Sequence, residues 1–158
     1  MQAEYQNGHR AAEPRIAIGY TNSSVNLTLT SDILDRLTAH MKSVHPQEGC
    51  GFLIGHGATA GHFLAMPNSL ASETAYEIEP ALLAAVNRSL RDSGEQLVAI
   101  VHSHPRGPAE PSLRDRERAF YPEAAHVIVS LADLERPQLR AFRIIDGEAY
   151  EIECHIVL

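Results

Sequence analysis

With 158 residues, 44% of them hydrophobic, the chain is the size of one domain and can bury a core without metal or disulfide support. Its 13 basic and 20 acidic residues leave a net charge of −7, which argues against a nucleic-acid or anionic-membrane surface as the main partner. No apolar run approaches the ~18 residues a membrane span needs.

Residues 1 to 15, MQAEYQNGHRAAEPR, are polar and read as a loose tail, with one domain over 16–158. They hold no apolar core of a signal peptide, so a cytoplasmic location is expected and Cys50 and Cys154 are expected to stay thiols. The glycosylation triplets at Asn22 and Asn26 then count as chance matches. Ile16 to Tyr20 is a short strand candidate, and Val25, Leu27 and Leu29 alternate with polar residues as in a half-buried strand.

Ser31 or Asp32 is expected to cap a helix to Val44, with Ile33, Leu34, Leu37, Met41 and Val44 on one face and His45-Pro46 ending it. Glu48 to Gly55 reads as a buried strand whose glycines mark close backbone approach, followed by a hairpin into His62 to Met66. Thr74 to Ile78 looks extended. Pro80 opens a second helix to about Arg91, stopped by Ser93-Gly94. Leu97 to His104 is apolar enough for a central strand buried on both faces. A short helix from Ser112 to Phe120 and strands at 125–131, 138–145 and 149–157 complete the chain, the last two joined at Asp146-Gly147. The order implies an α/β (α+β) fold, a mixed curved sheet with two main helices and one short helix packed on it.

The chemistry is concentrated in Val98 to Asp115, VAIVHSHPRGPAEPSLRD. On a strand, His102 and His104 point to one face while Ser103 points away. Three prolines stiffen the turn that follows, and Ser112 as helix N-cap would put Asp115 in the first helical turn. Two imidazoles and a carboxylate with no fourth protein ligand suit a catalytic zinc that keeps a position open for water, although iron and manganese take the same donors. Taken singly, His-x-His is commonly two ordinary strand histidines, and Ser-x-x-Asp a helix cap.

A hydrolytic centre also needs a base. Glu48 is the best candidate, since its strand could lie beside Leu97 to His104; an exposed acid at a strand start is the plain alternative. Ser112 can cap the helix and also donate to an oxyanion.

The segments His45-Pro-Gln-Glu-Gly-Cys-Gly-Phe-Leu-Ile-Gly55, His102-Ser-His104-Pro and Pro111-Ser112-Leu-Arg-Asp115 together resemble the JAMM (MPN-plus) metallopeptidases. Their signature is a glutamate upstream of His-x-His, seven residues, Ser, two residues and Asp, and residues 105–111 supply the seven here. The likeness covers about residues 25 to 158, including Pro67-Asn68 and the Tyr76 to Pro80 segment. It implies the cytidine-deaminase-like architecture of that family. It also implies one zinc per chain on His102, His104 and Asp115 with water as fourth ligand, Glu48 as general base and Ser112 at the oxyanion. The chain lacks the long insertions with which deubiquitinating members grip ubiquitin. It resembles the small bacterial members that cut at the C-terminus of β-grasp, ubiquitin-like sulfur-carrier proteins. The alternative is a non-catalytic binding module of the same fold with a structural or vestigial metal site. A zinc deaminase is disfavoured because Pro-Cys-x-x-Cys is absent.

The remaining histidines, at 9, 40, 45, 56, 62, 126 and 155, lack partners at ligand spacing and read as surface or core residues. Cys50 lies two residues from Glu48 and reads as a small core residue rather than a fourth ligand. Arg106, Arg114, Arg116 and Arg118 read as a solvated face, with Arg106 free to meet a substrate carboxylate.

Overall fold

The computed structural model describes residues 26–158; the candidate strand at 16–20 and the polar tail lie outside them. The elements run β1 (Asn26–Thr30), α1 (Ser31–Val44), β2 (Cys50–His56), β3 (Thr59–Met66), α2 (Pro80–Ser93), β4 (Gln96–His104), α3 (Leu113–Glu117), β5 (Ala125–Ser130), β6 (Gln138–Ile145) and β7 (Glu148–Val157). Laterally the strands follow β1-β3-β2-β4-β5-β6-β7, and β7 pairs parallel with β1. A single β1–β3 pair, Thr28 with Thr59, then closes the curved sheet into a barrel.

Leu27 and Leu29, the alternating apolar residues of β1, are buried, and α1 sends Ile33, Leu37 and Met41 into the same core as Leu53, Val101 and Val127. The cap of α1 is Thr30, one residue before the expected pair, because its extended backbone lets the side chain accept from the Ile33 N–H at 3.3 Å. α2 covers the other face of β2 and β4, packing Leu82, Leu83, Val86 and Leu90 on Phe52, Ile54 and Ile100. Central β4 is therefore apolar on both sides, as its composition requires.

Glycines allow the β2–β3 hairpin to close. A Cβ on Gly55 would lie 2.2 Å from the Thr59 carbonyl oxygen, and one on Gly51 2.6 Å from that of Leu64.

Residues 74–78 form no strand. Their polar groups turn instead to the preceding loop, where Asn68 Oδ1 accepts from the Glu77 N–H and the Ser69 N–H donates to the Glu77 carbonyl. α3 is also shorter than expected, running only from Leu113 to Glu117, although Ser112 is its N-cap as the sequence indicated.

Candidate active site

The antiparallel pairing of β2 with β4 sets Cys50 opposite His102. Gly49 continues the contact beyond the strand: the Ser103 N–H donates to its carbonyl at 3.0 Å, and its own N–H donates to Ser103 Oγ at 2.8 Å. Ser103 thus faces away from its flanking histidines and is fully occupied in holding the Glu48 segment to β4. Glu48 precedes β2 instead of beginning it; its N–H donates to the Ser72 carbonyl, and its carbonyl accepts from the Asn68 amide at 3.0 Å. The side chain is only 6% exposed, which removes the reading of a solvated strand-start acid.

His102 and His104 present Nε2 atoms 3.0 Å apart on the outer face of β4. Asp115 Oδ2 lies 3.2 Å from the first and 3.1 Å from the second. Three donors in so small a triangle cannot be satisfied by one linear hydrogen-bond chain, whereas a shared cation satisfies all three. Tetrahedral zinc with bonds of 2.0–2.1 Å sets its ligands about 3.3 Å apart, so the donor set and its spacing fit. These residues form a group that could hold a metal ion.

Each donor is held in place from behind. His104 Nδ1 donates to the Pro108 carbonyl at 2.8 Å, which orients the ring with Nε2 toward the triangle. Ser130 Oγ donates to the Gly107 carbonyl at 2.6 Å, fastening the same turn to the end of β5. The Tyr76 ring stacks on His102, centroids 4.7 Å apart. Asp115 completes a capping box, taking the Ser112 N–H on Oδ2 at 2.9 Å while Ser112 Oγ takes the Asp115 N–H at 3.1 Å.

The electrostatics follow from this crowding. Burial pushes the Asp115 carboxyl up, but hydrogen bonds to His102 and His104 outweigh it and hold the group well below the usual carboxylate range. Burial pulls His104 down, but its contacts with Asp115 and Pro108 raise it overall. Glu48 is pushed up to about 7, first by burial and then by the Asp115 charge, with His104 and Arg114 acting the other way.

Cys50 stands apart from the triangle. Its Sγ donates to the Met66 carbonyl at 3.4 Å, and burial pushes the thiol up to about 12, as suits a small core residue. Both cysteines are free thiols. Arg106 is exposed, 3.5 Å from Glu73, and Arg118 lies 3.8 Å from Glu77.

Tyr76, Asn87 and His126 were not among the candidate functional residues, yet all three line a cleft that contains His102 and Asp115. A parallel neighbour pairing, Ile100 with His126, brings the last one in. That pairing joins strands distant in sequence and leaves no local spacing to find.

Comparison with known proteins bears on this arrangement. Residues 30–145 match the family described as prokaryotic homologs of the JAB domain. The CysO-cysteine peptidase of Mycobacterium tuberculosis is 34% identical over 133 residues, covering 83% of this chain and 91% of the relative. The desampylase of Haloferax volcanii is 31% identical over 118 residues, covering 68% of this chain and 83% of the relative. Among solved structures, protein DSY2949 of Desulfitobacterium hafniense superposes with a TM-score of 0.75 at 28% identity, over 83% of this chain and 92% of that one. The chain therefore belongs to the family of prokaryotic homologues of the JAB domain and is a JAMM-type hydrolase.

Proposed function

We propose that this protein is a zinc-dependent peptidase that cuts a peptide bond at the C-terminus of a β-grasp, ubiquitin-like sulfur-carrier protein in the cytoplasm. The observation that carries the reading is the triangle of His102 Nε2, His104 Nε2 and Asp115 Oδ2, with sides of 3.0 to 3.2 Å, beside the buried Glu48. The names of the relatives support the substrate class, one being a peptidase of CysO-cysteine and another a desampylase.

A zinc ion on His102, His104 and Asp115, with water as fourth ligand, would supply an acidified water and an electrophile for the scissile carbonyl. Glu48 takes the proton of the attacking water and returns it to the leaving amine. Its place near pH 7 suits a group that must both accept and release a proton. The Ser112 hydroxyl accepts the Asp115 N–H, which leaves its own proton free to donate to the oxyanion. A glycine tail has no side chains to obstruct an extended approach to these groups.

Elemental analysis of the purified protein tests the centre, with His104→Ala and Asp115→Ala as controls. About one zinc per chain, lost in both variants, is expected. A β-grasp carrier extended beyond its Gly-Gly end should then be trimmed by the zinc-loaded protein, read by mass spectrometry. No bound metal after zinc is supplied would leave the non-catalytic binding module as the better reading.

A further inference from the structure

Beside the triangle, a cleft of about 310 Å³ runs between α2, residues 75–80, α3 and the faces of β4 and β5. Arg114, Arg118 and Glu77 stand exposed at its lining, whereas Phe52, Ile100, Asn87 and His126 are buried and make its deeper wall. Phe52 and Ile100 make this wall apolar around the two polar side chains, and the Asp115 carboxylate of the triangle also lines the cleft. Burial, followed by the His102 charge, pulls His126 down from its ordinary value.

This wall nevertheless holds polar atoms without partners. Asn87 Oδ1 and His126 Nε2 make no hydrogen bond, although the residues are only 7% and 4% exposed. His102, which lines the same cleft, has an unpartnered Nδ1 as well. Each such atom is costly to bury unsatisfied, and folding alone gains nothing from keeping three around one cleft. They match a ligand that brings its own hydrogen-bonding group. Asn87 Oδ1 can only accept, so that group must donate. The charged residues of the lining are Asp115 at the triangle and the exposed Arg114, Arg118 and Glu77. Beyond them, Phe52, Ile100, Asn87 and His126 offer an ionised tip no counter-charge, which disfavours it there.

We propose that this cleft is the subsite for the residue released on the amine side of the cut, and that it selects an uncharged side chain tipped with a hydrogen-bond donor. The assignment to the amine side rests on the peptidase reading above, because the glycines on the acyl side have no side chain to fill a cleft. Threonine and valine separate the idea cleanly, since they share a shape and differ by a hydroxyl in place of a methyl.

The test uses the full-length, zinc-loaded protein and a β-grasp carrier ending in Gly-Gly, extended by a single Thr or a single Val. The Thr extension should be released with a kcat/KM about tenfold or more above that of Val. The ratio should fall toward one in Asn87→Leu and in His126→Phe. A wild-type ratio near one overturns the subsite whether or not either variant folds. If neither extension is cut, the peptidase reading fails instead, and binding then decides the cleft by itself. L-threonine should shift the His126 ring signals in NMR titrations where L-valine does not. Equal shifts would mean that the cleft does not read the hydroxyl, and no shift at millimolar amino acid that it takes up neither; either result overturns the proposal.

Discussion

Gly49 and Ser103 are joined twice, the Ser103 N–H to the Gly49 carbonyl at 3.0 Å and the Gly49 N–H to Ser103 Oγ at 2.8 Å. This clamp fixes the segment carrying Glu48 to the strand carrying both histidines, so base and metal-ligand candidates keep one spacing. Ser103→Ala would leave the buried Gly49 N–H without an acceptor. A loss of about 1–3 kcal/mol in denaturant unfolding is expected. Turnover should fall with zinc content unchanged, because neither histidine depends on the hydroxyl.

Glu48→Gln keeps the shape and removes the proposed base. Zinc content by elemental analysis should match wild type, while cleavage of an extended carrier drops about 10²- to 10⁴-fold. Near-normal turnover would take Glu48 out of the mechanism.

The same substitution has an opposite effect on stability. Between its ordinary 4.5 and about 7, Glu48 holds in the folded state a proton that the unfolded chain has released, so stability falls as pH rises through that window. Metal-free Glu48→Gln should therefore be more stable than metal-free wild type at about pH 8, by at most about 3 kcal/mol. The gain should shrink toward about pH 5. Thermal melts of the chelated proteins at both pH values check it; a gain independent of pH would rule out the proton as its cause.

Ser112→Ala removes one half of the capping box and the proposed oxyanion donor together. Asp115 keeps its hydrogen bond from the Ser112 N–H, so zinc should be retained. A fall in kcat of about 10- to 100-fold with little change in KM is expected, and Ser112→Thr should restore most of it. If zinc content falls in step with activity, capping is the only role of the hydroxyl.

Much of this molecule is legible in local chemistry. The His-x-His alternation put both imidazoles on one face, and the proline turn with a Ser-x-x-Asp cap carried Asp115 back to them. The element order, the exact span of β6 and the capping by Ser112 all follow from period, turn residues and cap preference, which act over a few residues. Thr74 to Ile78, extended by its sequence, joins no sheet because side chains of the loop before it, Asn68 above all, supply its hydrogen bonds in place of a neighbouring strand. Burial and cross-strand pairing were decided only in three dimensions. They converted Glu48 from a plain acid into a buried one, closed the sheet through Thr28 and Thr59, and brought His126 and Asn87 to the cleft beside His102. Those outcomes depend on which distant strands and helices meet, and the cost of an unpaired buried polar atom exists only once they have met.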